Sequence, residues 1–523
     1  MSVALVGYSG FVGSNLLQFY HFDYFYNSKN FYKASNKTFD TLFFCGVPAV
    51  KWYANKNPEE DIETINSLKN ILNTISVKKI ILISTIDVYD EDTNSEKNED
   101  YDCDWFLSSH YGRNRYLFEN YIKKTFINHH IIRLPALFGK GLKKNIIYDL
   151  INENQLQNIP FQSSFQWYDL NWLKKDINLI IENNLKICNL FPEPINTTDI
   201  ISLFEYPLET FDKNKKLSYN LKTKYSSLFK SNVDGYIRSK EEVLVSIKGF
   251  LDFTKIKKQH LCVSNICVKK TNQFQFACLL KLFGICNIQI APTTLIANWS
   301  QLLDLDLSAY KNNELNVYSF QSITFTLNDW NIFNENKDKL KEHLIKVIDC
   351  AVKNGVKVLV FGCPRNRFIN NKDDMEKNNS IFTDFFKEIG NYANDKEITI
   401  CIEPNSKKYN CNFINLIKEA GELVKTIDHT NIKMMVDIGN AIMEEDDLQD
   451  IYNYKEYIFN IDVANENMLP FTNYYEKHIE FKKILSDIKY NKNINLEMMI
   501  KEEENELEIL CQSLENFIKV FGN

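Results

Sequence analysis

Residues Ala4 to Gly13 form an apolar run that passes into glycines at Gly7, Gly10 and Gly13, with Phe11 and Val12 ahead of the third. Glycine at this spacing permits a sharp turn and close approach to a pyrophosphate. It also leaves the N-terminus of the next helix, through Ser14, Asn15, Leu16 and Leu17, facing the anion. The chemistry indicated is dinucleotide binding by Gly7, Gly10, Phe11, Val12 and Gly13; the other reading is a structural glycine turn. A second set of residues lies far downstream. Glu403, Asp437, Asp462 and Glu497 stand at the ends of apolar runs. Carboxylates held in that way can take and return protons, or supply hard oxygen ligands to a divalent ion.

The elements that must carry these groups fall into two series. Through residue 250 or so, strands are expected at Val3–Val6, Phe22–Tyr26, Thr41–Cys45, Lys79–Ser84 and His129–Leu134. Helices are expected at Asp61–Thr74 and Tyr111–Lys124, an alternation that predicts a parallel sheet. A lysine-rich polar stretch, residues 254–259, reads as a linker. Eight apolar strands follow, near His260–Ile266, Asn287–Ala291, Leu315–Phe320, Val356–Phe361, Ile398–Glu403, Lys433–Asp437, Tyr457–Val463 and Asn495–Met498. That rhythm is the rhythm of a (β/α)8 barrel, which places its chemistry at strand C-terminal ends. The fold class expected is α/β: a Rossmann-like doubly wound parallel sheet (residues 1–253) fused to a TIM barrel (residues 260–523).

Composition narrows the partners. The 523 residues carry a net charge of −7, which excludes a general nucleic-acid binder with a basic face. No apolar run is long enough to span a bilayer, and the first strand is too short for a signal peptide. The 12 cysteines form no Cys-x-x-Cys pair and read as reduced, buried hydrophobes. A cytoplasmic protein without a membrane or nucleic-acid partner is expected, and a homodimer is compatible with such a chain.

In the first half, the run Ser84-Thr85-Ile86-Asp87-Val88-Tyr89, the segment Tyr111-Gly112-Arg113-Asn114-Arg115 and the run Arg133-Leu134-Pro135 follow the glycines. Together they resemble the extended short-chain dehydrogenase/reductases, the nucleotide-sugar epimerases and dehydratases. The resemblance implies that the Tyr111 phenol exchanges the carbinol proton while hydride moves to or from nicotinamide, with Thr85 bonding the same oxygen. A phenol needs a neighbouring cation to act as a base. The family uses a lysine four residues after the tyrosine; here Arg115 occupies that position, with a second implied role on the cofactor ribose. The second strand ends in Asn27-Ser28-Lys29 rather than an acid. NAD is the expected cofactor; NADP is the alternative, in which Lys29 meets a 2′-phosphate instead of solvent.

The second half resembles the xylose-isomerase-like barrels, through Ile290-Ala291-Pro292-Thr293, Phe361-Gly362-Cys363-Pro364-Arg365-Asn366-Arg367, Ile402-Glu403-Pro404-Asn405, Val436-Asp437-Ile438-Gly439-Asn440 and Leu496-Glu497-Met498. In that superfamily two glutamates, an aspartate and a histidine hold a metal, and the glutamates move protons on the substrate. Glu403, Asp437 and Glu497 match three positions; where a histidine is usual this strand offers Asp462, and Asn440 replaces another. Such an all-oxygen set suits Mn²⁺ or Mg²⁺ rather than Zn²⁺, and a metal-free site is the open alternative. His478 is the histidine nearest the region, catalytic in one reading and structural in the other. Arg365 and Arg367 could clamp an anion or face solvent.

Taken together, the two resemblances imply one redox-neutral cycle on a nucleotide sugar. The first half makes a ketone, the barrel inverts the adjacent carbon, and the first half reduces the ketone again, for a surface (capsular) polysaccharide. The alternatives are an independent oxidoreductase or dehydratase fused to a sugar-phosphate isomerase, and a degenerate barrel serving as a scaffold.

Overall fold

The computed structural model describes residues 1–89, 97–103, 109–214, 216–370, 374–501 and 505–523. The chain divides into two units, Met1–Lys255 and Ile256–Asn523. The helix Lys240–Lys255 runs through Thr254 and Lys255, so the stretch read as a linker begins as helix.

Unit one is built on a parallel sheet of β1 (Val3–Val6), β2 (Tyr24–Tyr26), β3 (Thr38–Phe44), β4 (Ser76–Thr85), β5 (His129–Leu134) and, after smaller strands, β9 (Ile187–Asn189), in the order β2-β1-β3-β4-β5-β9. The smaller strands pair separately: β6 (Ala136–Phe138) with β8 (Trp167–Asp169), and β7 (Ser164–Phe165) with β10 (Ile195–Asn196). Near-continuous apolar runs such as Ile80–Ile83 belong to strands covered on both faces. Phe44, Leu82 and Ile131 pack with Ile65 and Leu72 of the helix Pro58–Leu72 and with Phe118 and Ile122 of the helix His110–Thr125. The strand order reverses between β1 and β3. This is the 2-1-3-4-5 form of a doubly wound sheet, not the 3-2-1-4-5-6 order of the six-stranded Rossmann fold. Only a short 3-10 turn, Phe31–Ala34, stands between β2 and β3, and among the described residues β2 is the edge strand, paired with β1 alone.

Unit two is a closed parallel barrel of β11 (Leu261–Ser264), β12 (Asn287–Ile290), β13 (Asn316–Phe320), β14 (Val358–Phe361), β15 (Thr399–Ile402), β16 (Ile432–Asp437), β17 (Ile458–Val463) and β18 (Ile494–Leu496), in sequence order. Pairing of β11 with β18 closes the ring. The barrel interior carries polar side chains: Gln289 on β12 reaches Asp462 on β17, which also receives Asn460 and Asn495. Among the described residues no helix is long and apolar enough to cross a membrane.

Candidate active sites in the two units

In the barrel, Glu403 follows β15, Asp437 ends β16, Asp462 is the penultimate residue of β17 and Glu497 follows β18. The topology therefore gathers all four at the C-terminal rim, where they are 8%, 5%, 1% and 9% exposed. Water at those exposures does little to screen them. Among the described residues none of the four is in an ion pair; amides hold them instead. Asn440 Nδ2 donates to Asp437 Oδ2 at 2.7 Å and to Glu403 Oε1 at 3.1 Å, and Asn405 Nδ2 donates to the same Glu403 oxygen at 2.9 Å. On the other side Gln289 Nε2 donates to Asp462 Oδ2 at 3.1 Å, and Gln321 Nε2 to Glu497 Oε1 at 2.5 Å. Gly362, after β14, is glycine for a local reason: a Cβ there would collide with Glu403 Oε2.

Burial and mutual repulsion then decide the protonation. Burial, followed by the charges of Asp437 and Asp462, pushes Glu403 well above the ordinary carboxyl range, and burial with Asp462, Asp437 and Glu403 does the same to Glu497. Burial lifts Asp437 to about 6 against the donors of Gly439 and Asn440, and burial with Asp437 lifts Asp462 to about 7. Groups so coupled do not all ionise at neutral pH, so the set offers an acid and a base at once. Carboxylate oxygens are the kind of hard donor that Mg²⁺ or Mn²⁺ prefers. Among the described residues, however, no three His, Cys, Asp or Glu side chains converge as a finished metal cage.

His478 is displaced from the catalytic reading. It is fully buried, its Nδ1 accepts the Tyr475 N–H at 3.1 Å, and its Nε2 meets the Ala464 carbonyl at 3.0 Å. Nδ1 thus caps its own helix, Glu476–Asp487, and Nε2 ties that helix to the backbone just after β17. The arginine clamp also dissolves. Arg367 is fully buried and donates to the carbonyls of Phe361, Glu403 and Phe413, while Arg365 is exposed. Sequence reasoning missed Gln289 and Gln321, polar residues within or just after apolar strands, a signal that was available. It also missed Tyr409, half-buried and pushed to about 12 by burial and by the charges of Asp437, Glu497 and Glu403.

In unit one the glycine turn follows β1. Gly7 adopts φ +88°, and a Cβ there would lie 2.5 Å from the Cys45 carbonyl oxygen; a Cβ on Gly13 would strike the Gly7 carbonyl. Gly10 caps the helix Phe11–Leu16 without a side chain, and Phe11 and Val12 are partly exposed beside it. A backbone that bare fits close approach by a pyrophosphate. At the end of β2, Asn27 shapes the turn, accepting from Lys29 N–H at 2.9 Å and donating to the Tyr8 hydroxyl at 3.1 Å, while Ser28 and Lys29 are exposed.

Thr85 ends β4, and Tyr111 opens the helix His110–Thr125, its N–H held by Asn55 Oδ1 at 2.8 Å. The two side chains meet. Burial raises the Tyr111 phenol; Arg115 opposes that rise, Asp87 adds to it, and Lys51 and the Thr85 hydroxyl oppose it. Arg115 stacks on the Tyr111 ring, its guanidinium carbon 3.9 Å from the centroid, and is ion-paired with buried Asp61. Lys51 Nζ lies 2.6 Å from Asp87 Oδ1 and 3.3 Å from the Tyr219 hydroxyl. Lys51, Asp61 and Tyr219 carry no sequence motif of their own, and only the fold brings them to Asp87 and Arg115.

Residues 300–518 match the family model of the xylose isomerase-like TIM barrel. The match lies wholly within the second unit, the closed eight-stranded barrel. Comparison with curated proteins yields no match. Among solved structures, D-psicose 3-epimerase from Clostridium cellulolyticum H10 is 15% identical, covering 50% of this chain and 99% of that one at a TM-score of 0.43. The 3-keto-D-glucoside 4-epimerase YcjR from E. coli is 15% identical over 49% of this chain and 99% of that one, TM-score 0.40. An AP endonuclease, family 2, from Brucella melitensis is 14% identical over 47% and 96%, TM-score 0.39.

Proposed function

We propose that the barrel inverts a sugar carbon next to a carbonyl, and that the first unit makes and later reduces that carbonyl on a nucleotide-activated sugar. The observation that carries this reading is the set of four buried, amide-held carboxylates at the barrel rim, none of them in an ion pair among the described residues. A carbon acid needs a base on one face and an acid on the other, with donors for the developing oxyanion. Glu403 and Glu497 are the proton carriers: one, ionised, takes the α-proton, and the other, protonated, returns a proton to the opposite face. Asn440 and Asn405 keep Glu403 oriented, and Gln321, itself held by Gln289, does the same for Glu497. Glu403, Asp437, Asp462 and Glu497 would hold a Mg²⁺ or Mn²⁺ ion, which would supply positive charge for the enolate oxygen.

In the first unit Tyr111 receives the carbinol proton, with Thr85 on the same oxygen, as the carbon is oxidised to the ketone. Gly7, Gly10, Phe11, Val12 and Gly13 would hold NAD, or NADP if exposed Lys29 meets a 2′-phosphate; the dinucleotide would supply the hydride acceptor and then donor. The cycle is balanced. Two electrons leave and return, Tyr111 gives its proton back, and the net change is one inverted centre. Carrying both activities on one polypeptide raises the effective concentration of the reactive ketone. The product, on this reading, is an unusual sugar for a surface polysaccharide.

Incubating the full chain with a panel of nucleotide sugars and NAD in D₂O tests the proposal. Deuterium at one sugar carbon of a new stereoisomer is the expected result. A ketone that accumulates without exchange would leave the barrel a scaffold.

A further inference from the structure

One cation, Arg115, was expected to perform two tasks: holding the Tyr111 phenol in its reactive form and gripping the ribose of the cofactor. The structure leaves it free for only the first. Its guanidinium lies on the Tyr111 ring, pairs with Asp61 and donates to the Pro48 carbonyl; its Nε is buried and has no hydrogen-bond partner among the described residues. Arg115 and Asp61 side chains are each 5% exposed and are committed to one another.

Lys51 stands differently. It opens the short helix Lys51–Lys56 beyond β3, and its side chain is 45% exposed. The loops after β1 and β3 border the reversal in strand order, the place where open α/β sheets bind ligands. Asp87 and Tyr219 brace the ammonium, and Asp87 Oδ2 meets the Thr85 hydroxyl at 3.3 Å. A donor and an acceptor 2.6 Å apart on one rim are complementary to two neighbouring hydroxyls, since a vicinal diol offers one oxygen to accept from Lys51 and one O–H to donate to Asp87.

We propose that the two tasks are split: Arg115 fixes and polarises Tyr111, while Lys51 with Asp87 grips the vicinal diol of the nicotinamide ribose. This rests on reading the first unit as a dinucleotide-dependent oxidoreductase. Lys51 is thereby a ligand-positioning residue recruited from a different element than the catalytic helix. The charged and titratable groups facing Tyr111 are Arg115 on its own helix, Asp87 beyond β4 and Lys51 beyond β3.

The test uses the full-length chain and two readouts. NADH affinity comes from its fluorescence; Tyr111 ionisation comes from tyrosinate absorbance, each variant being compared with its Tyr111→Phe counterpart. Lys51→Met is expected to weaken NADH about tenfold, as loss of a charged hydrogen bond would, and Lys51→Arg to recover most of that. Arg115→Met is expected to move Tyr111 ionisation upward further than Lys51→Met does, and to leave NADH affinity within about twofold. Unchanged NADH affinity in Lys51→Met overturns the proposal, including the case where the sugar KM rises and Lys51 belongs to the substrate instead. Equal weakening by Arg115→Met also overturns it. A wild-type chain that binds neither NADH nor NADPH would instead remove the oxidoreductase reading itself.

Discussion

The roles proposed for Tyr111, Glu403 and Glu497 are each open to a test that removes a single atom or charge. Tyr111→Phe deletes only the phenolic oxygen, so NADH binding should persist while cofactor reduction falls by a factor of about 10² or more, followed at the nicotinamide absorbance. Glu403→Gln and Glu497→Gln keep the side-chain shape but cannot carry the proton. Both should still oxidise the sugar through Tyr111 and yield no inverted product; wild-type yields of the new stereoisomer from both would remove the barrel from the chemistry. For His478, bound through both nitrogens to backbone, the expectation differs. His478→Ala should leave an unsatisfied buried carbonyl and a cavity, lowering stability by about 2–4 kcal/mol in denaturant titration, while turnover per folded molecule stays near wild type.

At the scale of elements, two turns are held open by missing side chains. Gly7→Ala would place a Cβ 2.5 Å from the Cys45 carbonyl oxygen at a backbone φ of +88°. The turn must shift, costing about 1 kcal/mol or more, and NADH affinity should fall far more than stability does. Gly362→Ala acts in the turn after β14, where its Cβ would occupy the place of Glu403 Oε2. Loss of inversion with retained ketone formation is expected, read from the product stereochemistry. In both cases the neighbouring strand, β3 or β15, is what makes the glycine necessary.

For the whole molecule, buried titratable groups pull in opposite directions. Asp437 and Asp462, at about 6 and 7, lie above their unfolded values near 4. Such carboxyls stabilise the fold below the unfolded value, and the contribution is lost as pH rises through about 6 to 7. Burial holds His130, His343 and His478 below the ordinary imidazole value. Their contribution is complete above about pH 6.5 and declines as pH falls below it. A divalent ion bound as proposed would compete with protons for the four carboxylates. Millimolar Mn²⁺ should therefore raise Tm more at pH 8 than at pH 5.5, and Glu403→Gln should abolish most of the increment; equal increments at both pH values would contradict a carboxylate site.

Sequence alone determined the strand-and-helix rhythm of both units and the ends of the barrel strands to within a residue or two, because apolar periodicity and strand length are local properties. Glu403, Asp437, Asp462 and Glu497 were legible for the same reason: an acid at the end of a buried strand is conspicuous. Tertiary structure decided what no local pattern records. The strand order departs from the six-stranded Rossmann arrangement because only a short turn joins β2 to β3. His478 and Arg367, chemically promising by residue type, are consumed by backbone carbonyls brought to them from other elements. Gln289, Gln321, Lys51 and Asp87 acquire meaning only through partners 36 to 176 positions away in the chain. Hydrogen bonds and charges act through space, and the spacing of residues along the chain does not fix which of them will meet.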